Sequence, residues 1–322
     1  MKKISTLFLL LLSLSLSAQE PMSLESPEFE AYFLDGKNIP KLSGQIINAD
    51  PETLARLSLE FHFASPDSRD PGLIYIQPSV MGCFSVPVHH AFPYYQVRLQ
   101  IKLYDLIIYS GSVLLNDSLN LMLDYNLLSA RLGTLPEHAI VYSGSDALLN
   151  KMDQEHLHTI WSEFYLSMTS AQTSNLPLDQ RLQVLNQLFE ERKKKEELFL
   201  EKYQNQHRAF YESKRKSEFY QALFMFNDST IPADFISEFL NYKPIGTTPM
   251  TFDYYFCLLS YLQSVGQDEI SPLLQDLRLL RSRRDFAWSL PEQYQKCIPK
   301  IQTKWLRHYA ETELAWLESL SN

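Results

Sequence analysis

The hydrophobic residues of this chain change their spacing at residues 143–146, and this change constrains the fold more than any other feature. Before Ser143, apolar side chains recur at every second position, which is the spacing of a half-buried strand. After Asp146 they recur at every third or fourth position, which is the spacing of an amphipathic helix. Strands followed by helices predict an α+β fold, with an N-terminal antiparallel β-sandwich and a following all-α helical domain.

The strand-like half extends from about Phe29 to Val141, and its clearest strand runs from Tyr95 to Leu103. Two other runs alternate in the same way, from Leu57 to Phe63 and from Leu119 to Leu123. Turn-forming residues, such as those at 116–117, separate the runs. Short strands joined by turns are typical of a sandwich of antiparallel sheets, which we place at residues 19–142.

The helical half occupies residues 143–322. Residues 178–226 contain neither Gly nor Pro and therefore predict one long helical stretch. Pro249, Pro272 and Pro291 are expected in the first turns of later helices, where the missing N–H costs no hydrogen bond. One apolar face of the first predicted helix collects Leu149, Met152, Ile160, Trp161, Phe164, Tyr165 and Met168.

The N-terminus has the order of a secretory signal. Lys2 and Lys3 precede an apolar run that ends at Leu16, and the small residues Ser17 and Ala18 follow it. We therefore expect residues 1–18 to be a signal peptide and the protein to be periplasmic or secreted. No Cys lies near this junction, which argues against a lipoprotein, and no later apolar run is long enough to predict a transmembrane segment in the mature chain.

Composition disfavours several functional classes. The formal net charge is −9, and removal of Lys2 and Lys3 would change it from −9 to −11, so nucleic acid is not expected as a partner. Only nine residues are Gly, and the sequence has no phosphate-binding glycine motif and no G-x-S-x-G motif. We therefore predict no cofactor and no catalytic, cofactor-binding or metal-ligating residue, and an enzymatic activity is disfavoured.

The three cysteines are the possible reactive thiols of the chain. Cys83, Cys257 and Cys297 lie far apart in sequence, with no C-x-x-C motif and no zinc-finger spacing. They allow one disulfide with one thiol left over, or three thiols without a disulfide. The second alternative is favoured, since Cys is often a small core residue.

Two groups of charged residues have both a functional and a structural interpretation. The segment 190–197 could be a docking strip for an acidic partner, but alternating Glu and Lys residues favour a solvated helix face. Asp153 and His156 lie one turn apart and are interpreted as a surface contact. His89 and His90 lie in a loop, where adjacent side chains seldom converge on a metal ion.

Aromatic residues are the candidate ligand contacts. The densest clusters contain Phe92, Tyr94, Tyr95, Tyr254 and Tyr255. Exposed rings could stack on sugars or apolar ligands, whereas rings at helical or strand spacing more often belong to a core. Both interpretations stay open.

Three short segments carry a resemblance to a known family. They are residues 82–86 (Gly-Cys-Phe-Ser-Val), 115–119 (Leu-Asn-Asp-Ser-Leu) and 142–145 (Tyr-Ser-Gly-Ser). Over roughly Leu42 to Leu262 the chain resembles the N-terminal region of envelope thioredoxin-like (thiol–disulfide interchange) proteins of Gram-negative bacteria. The resemblance implies a β-sandwich and a helical segment that precede a redox domain. This chain has no C-x-x-C and no thioredoxin domain, so no catalytic residue is carried over.

These observations favour an exported, non-catalytic binding or scaffold protein of the bacterial cell envelope, with a protein or glycan partner. One alternative is an accessory protein in envelope thiol–disulfide exchange, in which one Cys reacts with a partner. The other is a glycan-binding protein that uses exposed aromatic residues.

Overall fold

In the part of the chain that the structure describes, two four-stranded sheets and a set of helices form a fold of the mixed α+β class. The structure is a computed structural model, and it describes residues 22–67, 73–130, 138–267, 270–281 and 290–320. The predicted signal peptide, residues 1–18, lies outside the described residues. The strands are β1 (Lys41–Ile47), β2 (Leu57–Phe63), β3 (Leu73–Ile76), β4 (Cys83–Val86), β5 (Tyr95–Leu103), β6 (Leu106–Leu115), β7 (Ser118–Asp124) and β8 (Ile140–Ser143).

The two sheets differ in strand direction. The first sheet has the order β4-β1-β7-β8, and the second has the order β3-β2-β5-β6. The second sheet is antiparallel throughout, as predicted, but β1 and β7 of the first sheet are parallel, with Lys41 opposite Ser118 and Ile47 opposite Asp124. The prediction of antiparallel pairing is therefore wrong for this pair. Side chains alternate identically in parallel and antiparallel strands, so the hydrophobic pattern carries no information on direction.

The strand pattern predicted from alternation is present. In β5 the odd-numbered side chains from Tyr95 to Ile101 are buried and their neighbours are more exposed. The two sheets contribute to one hydrophobic cluster, in which Phe61 of β2 contacts Phe84 of β4 at a ring-centroid distance of 5.9 Å. Buried rings therefore connect the two sheets.

Helices also occur in the region predicted to contain only strands. Among the described residues of this region, the helices are α1 (Pro27–Leu34), α2 (Pro51–Leu54) and α3 (Tyr125–Ser129). The strand-like spacing inferred from Phe29 onward is thus wrong for residues 29–34. Ser26 accepts a hydrogen bond from the N–H of Phe29, and Pro27 occupies the first turn, so the local signals favour a helix start.

The helical half contains α4 (Ala147–His156), α5 (Ser162–Gln172), α6 (Leu178–Lys202), α7 (Arg208–Phe226), α8 (Ile236–Asn241), α9 (Pro249–Ser264), α10 (Pro272–Arg281), α11 (Leu290–Cys297) and α12 (Lys304–Leu320). A π-helical turn, Leu157–Trp161, joins α4 to α5, and short 3₁₀ turns span Ala233–Phe235 and Ile298–Lys300. The predicted starts at Pro249 and Pro272 are confirmed, and Thr248 caps α9 through a reciprocal hydrogen-bonded pair with Thr251.

The predicted single stretch from 178 to 226 is interrupted. Gln204, Asn205 and His207 have left-handed backbone angles, so the chain turns and α7 packs beside α6. Asn tolerates this conformation better than most residues, because its short polar side chain can hydrogen-bond locally. No Gly or Pro marks the turn.

The first and last described helices pack together. Phe29 of α1 lies edge-on to Trp305 of α12 at a ring-centroid distance of 5.1 Å, and Phe33 lies 5.6 Å from the same ring. Buried residues of both halves belong to one continuous hydrophobic cluster. The sheets and the helices therefore share an interface, and the concave part of that interface contains the candidate site.

Candidate ligand-binding site

A cavity of about 300 Å³ lies where β5 and β6 meet α4, the π-helical turn, α5, α7 and the start of α9. We call it the sheet–helix cavity. Its apolar wall includes Trp161, Phe164, Tyr165, Met168, Met225 and Met250. Its polar floor includes Gln96, Ser112, Asp153, Lys214 and Glu218. Apolar cavities with a few convergent polar groups are typical of small-molecule sites.

The π-helical turn shapes one wall of the sheet–helix cavity. Both Leu157 and Trp161, the two ends of this turn, line the cavity. Thr159 Oγ1 and Ser162 Oγ donate to backbone carbonyls four residues earlier, at 2.7 and 3.0 Å. These hydroxyl contacts favour local distortion of a helix, and π-helical turns occur frequently at functional sites.

The apolar wall combines rigid rings with adaptable side chains. Trp161 stacks on Tyr165, with ring centroids 4.8 Å apart and planes inclined by 16°. Met168, Met225 and Met250 line the cavity from three different helices. Unbranched thioethers repack around ligands of irregular shape, so this wall can accept different apolar groups.

An ion pair lies on the floor of the cavity. Lys214 Nζ is 2.9 Å from Asp153 Oδ1, and only 13% and 9% of the two side chains are exposed. Burial acts to lower the pKa of Lys214, but the charges of Asp153 and Glu218 outweigh it and hold that pKa above its usual value. Lys214 therefore stays an ammonium ion at neutral pH.

A second set of charged residues lies behind this pair and joins three helices. We call it the ion cluster; it consists of His156, Arg192, Glu196, Arg215 and Glu218. Arg192 donates to Glu196 at 2.7 Å and also contacts Glu218. Glu196 receives further contacts from Arg215 at 2.5 Å and from His156 at 2.9 Å. Glu218 and His156 of the ion cluster also line the cavity.

The surroundings of Glu196 keep its carboxylate charged. Burial alone would raise its pKa, but the hydrogen bond from His156 and the charges of Arg192, His156 and Arg215 lower the pKa to about 2. The Arg192 guanidinium lies 4.7 Å from the centre of the Phe164 ring, which faces the cavity. Charged groups and an aromatic ring thus support the cavity wall from behind.

Two expectations about charged residues are wrong. Within segment 190–197, Arg192 is 2% exposed and Glu196 is 0% exposed, so this helix face is not wholly solvated. Asp153 and His156 are also buried, and each pairs with a residue of another helix rather than with the other on the surface. A sequence signal was present, because positions 192 and 196 continue the apolar stripe formed by Leu185, Phe189 and Phe199.

The predicted aromatic contacts lie in the core. All five residues, Phe92, Tyr94, Tyr95, Tyr254 and Tyr255, are buried, and none of them lines the sheet–helix cavity. Tyr94 stacks on Phe210 at a centroid distance of 4.3 Å, and Tyr254 donates to the carbonyl of Phe239 at 2.7 Å. The rings that do face the cavity, Trp161 and Tyr165, were predicted only as part of a helix face.

The three cysteines differ in accessibility. Cys83 is exposed on β4, whereas Cys257 and Cys297 are buried, and no disulfide joins any of them within the described residues. Burial, reinforced by the charge of Asp253, raises the pKa of Cys257 to about 12. Cys257 is therefore a thiol rather than a nucleophilic thiolate at neutral pH.

Another buried polar group joins the loop before β5 to the last helix. His90 Nε2 lies 2.6 Å from Glu313 Oε1, beside a cavity of only about 20 Å³. Tyr309 of α12 hydrogen-bonds to Ser65 at 3.0 Å, and Tyr294 donates to Asp67 at 2.8 Å. This space is too small for more than about one water molecule, so the group serves the packing between the two halves.

Comparisons with protein-family models, curated protein sequences and solved structures found no match to this chain. Within the described residues, no cluster of three or more His, Cys, Asp or Glu side chains is arranged to hold a metal ion. The same part of the chain contains no helix with the length and apolar character needed to span a membrane. The resemblance to envelope thioredoxin-like proteins remains a prediction.

Proposed function

We propose that this protein binds a small amphipathic molecule in the sheet–helix cavity. In this proposal it is an exported, non-catalytic binding protein of the bacterial cell envelope, with a β-sandwich domain at residues 19–142 and a helical domain at residues 143–322. The signal-like N-terminus supports export. The observation that carries the binding proposal is a 300 Å³ cavity with an aromatic and methionine wall over a polar floor.

The chemistry of the cavity favours binding over catalysis. Its ionised groups neutralise one another, since Asp153 pairs with Lys214 and Glu218 contacts Arg192. General acid–base catalysis needs an available group whose pKa lies near the working pH. The raised pKa of Lys214 lies further from neutrality, and His156, which also lines the cavity, is hydrogen-bonded to Glu196 at 2.9 Å. These groups can instead orient the polar end of a ligand by hydrogen bonds.

The size of the cavity limits the ligand. A volume of about 300 Å³ lies at the lower end of the range for small-molecule sites. Such a cavity suits a short hydrocarbon chain or a single ring system with one polar group. A protein or glycan partner would have to bind at another surface of the same molecule.

A pair of alanine substitutions tests the site. Ala222 is buried and lines the cavity, whereas Ala171 is buried in another helix and does not line it. We expect Ala222→Leu to fill part of the cavity and to weaken the binding of decanol by at least about tenfold, as measured by isothermal titration calorimetry. Ala171→Leu, the matched control, should bind decanol as the unaltered protein does.

Equal affinity of the two variants for decanol would mean that decanol binds outside the sheet–helix cavity. If the unaltered protein binds neither decanol nor related amphiphiles, the proposed function is wrong. Thermal melts monitored by circular dichroism establish that both variants are folded before binding is compared.

A further inference from the structure

The polar floor of the sheet–helix cavity carries charges of both signs at close range. Asp153 and Glu218 contribute carboxylates to the lining, and Lys214 contributes an ammonium. Arg192 lies directly behind Glu218 and contacts its carboxylate. The four formal charges therefore sum to zero around the place where the polar end of a ligand would lie.

The floor also has unused hydrogen-bonding capacity. In the described part of the chain, Lys214 makes one side-chain hydrogen bond, to Asp153, although an ammonium has three N–H donors. Gln96 and Ser112 project from neighbouring strands into the same space. A ligand group that both donates and accepts hydrogen bonds can use these positions together with the carboxylate oxygens.

A ligand head group of either charge would be repelled by a floor residue of the same charge. A carboxylate would approach Asp153 and Glu218, and an ammonium would approach Lys214. Moving either ion out of water into a buried site is costly unless an unshared counter-ion receives it. Here each counter-ion is already engaged, with Lys214 bound to Asp153 and Arg192 bound to Glu196 and Glu218.

We propose that the sheet–helix cavity selects uncharged amphiphiles, with a hydroxyl or primary amide head on the polar floor and an apolar tail against the rings and methionines. This inference rests on the proposed function and adds the chemical class of the ligand. The alternating charges of the floor act as donors and acceptors rather than as a counter-ion.

The test compares four probes that share one tail: decanol, decanamide, decanoate and decylamine. Calorimetry at neutral pH with the unaltered protein should give dissociation constants at least about tenfold lower for decanol and decanamide than for either charged probe. Decanoate or decylamine binding as tightly as the neutral probes would overturn the inference while leaving the proposed function intact. No binding by any of the four would overturn both.

Charge variants of the floor provide a second readout. Asp153→Asn leaves the Lys214 ammonium without its counter-ion, so the ratio of decanoate to decanol affinity should rise at least about fivefold. Lys214→Met leaves the Asp153 carboxylate without its counter-ion, so the ratio of decylamine to decanol affinity should rise. Ratios that do not move in folded variants would mean that the head group lies away from this floor, and the inference would fail.

Discussion

At the scale of single residues, two buried glutamates show how neighbours decide ionisation. Glu196 lies among Arg192, Arg215 and His156, and its pKa falls to about 2 despite its burial. Glu313 faces His90 in an aromatic environment, and burial raises its pKa to about 7. Burial in the same site lowers the pKa of His90 to about 3. The Glu196 carboxyl is therefore charged at neutral pH, while Glu313 and His90 are both neutral in mildly acidic solution.

The raised pKa of Glu313 makes stability depend on pH. A carboxyl whose pKa is higher in the folded state favours folding below its unfolded value of 4.5, and this contribution is lost as the pH rises through about 7. We expect the unaltered protein to lose roughly 2–3 kcal/mol from this group between mildly acidic and mildly alkaline solution. Glu313→Gln should remove this loss, so the free energy of unfolding of the variant should fall less with rising pH than that of the unaltered protein, as measured by urea unfolding across the pH range.

The titratable groups facing Glu313 include His89 and His90 from the loop before β5. Neutral His90 favours folding above its unfolded pKa of 6.5, and that contribution is lost as the pH falls toward 3. Between pH 4.5 and 6.5 the two contributions have opposite signs, because the Glu313 contribution falls and the His90 contribution rises as the pH increases. An unchanged slope in Glu313→Gln between mildly acidic and mildly alkaline pH would contradict the assignment.

Thiol reactivity is also set residue by residue. Cys83 is exposed, whereas Cys257 is buried with a pKa raised to about 12 and Cys297 is buried. We expect one thiol to react within minutes with an aromatic disulfide reagent in the native protein, and the other two only after unfolding. Cys83→Ser should remove the fast phase. A fast phase that survives in this variant would instead support thiol exchange by a buried cysteine.

At the scale of elements, the ion cluster holds α4, α6 and α7 together. Arg192→Met would keep most of the side-chain volume and leave Glu196 and Glu218 without their shared guanidinium. Removing one partner of a buried ion pair typically costs about 3–5 kcal/mol, so the free energy of unfolding should fall by about that amount. Lys193→Met on the exposed side of α6 is the matched control and should change stability by less than about 0.5 kcal/mol. Similar urea midpoints for the two variants would show that the cluster contributes little.

Alternation predicted the positions of the strands from Leu57 to Phe63 and from Tyr95 to Leu103, because half-buried strands must place side chains on opposite faces. Alternation could not predict that β1 runs parallel to β7, because the spacing of apolar residues is the same in parallel and antiparallel strands. The turn at residues 204–207 was missed because no Gly or Pro accompanies its left-handed backbone. Sequence patterns thus located three strands and several helices of the second half, and left the pairing of the strands undetermined.

The sheet–helix cavity could be predicted only in part. The sequence assigned Trp161 and Tyr165 to an apolar helix face, and this assignment is correct. An apolar face does not reveal whether the element packed against it leaves a cavity between the two elements. Gln96 and Ser112 form that opposite side from strands remote in sequence. Packing defects between remote elements depend on side-chain volumes in three dimensions, which periodicity does not encode.

At the scale of the whole molecule, the sheets and helices contact each other through several independent connections. Asn150 of α4 both donates to and accepts from the backbone of Leu114, at 2.8 Å in each case. Gln96 donates its backbone N–H to the carbonyl of Thr247 at 2.9 Å. The contact of α1 with α12 adds buried aromatic surface. Connections at separate places make it costly for one half to unfold while the other stays folded.

We therefore expect the protein to unfold in urea as one cooperative unit. The helical signal in circular dichroism and the hydrogen-exchange protection of the strand amides should be lost at the same urea concentration. Asn150→Ala removes the side-chain amide that pairs with Leu114, and it should lower the midpoint of both signals together. Loss of the helical signal at a lower urea concentration than strand protection would mean that the halves are energetically separate. In that case the sheet–helix cavity would be lost when the helical half unfolds, and decanol would stabilise only that first transition.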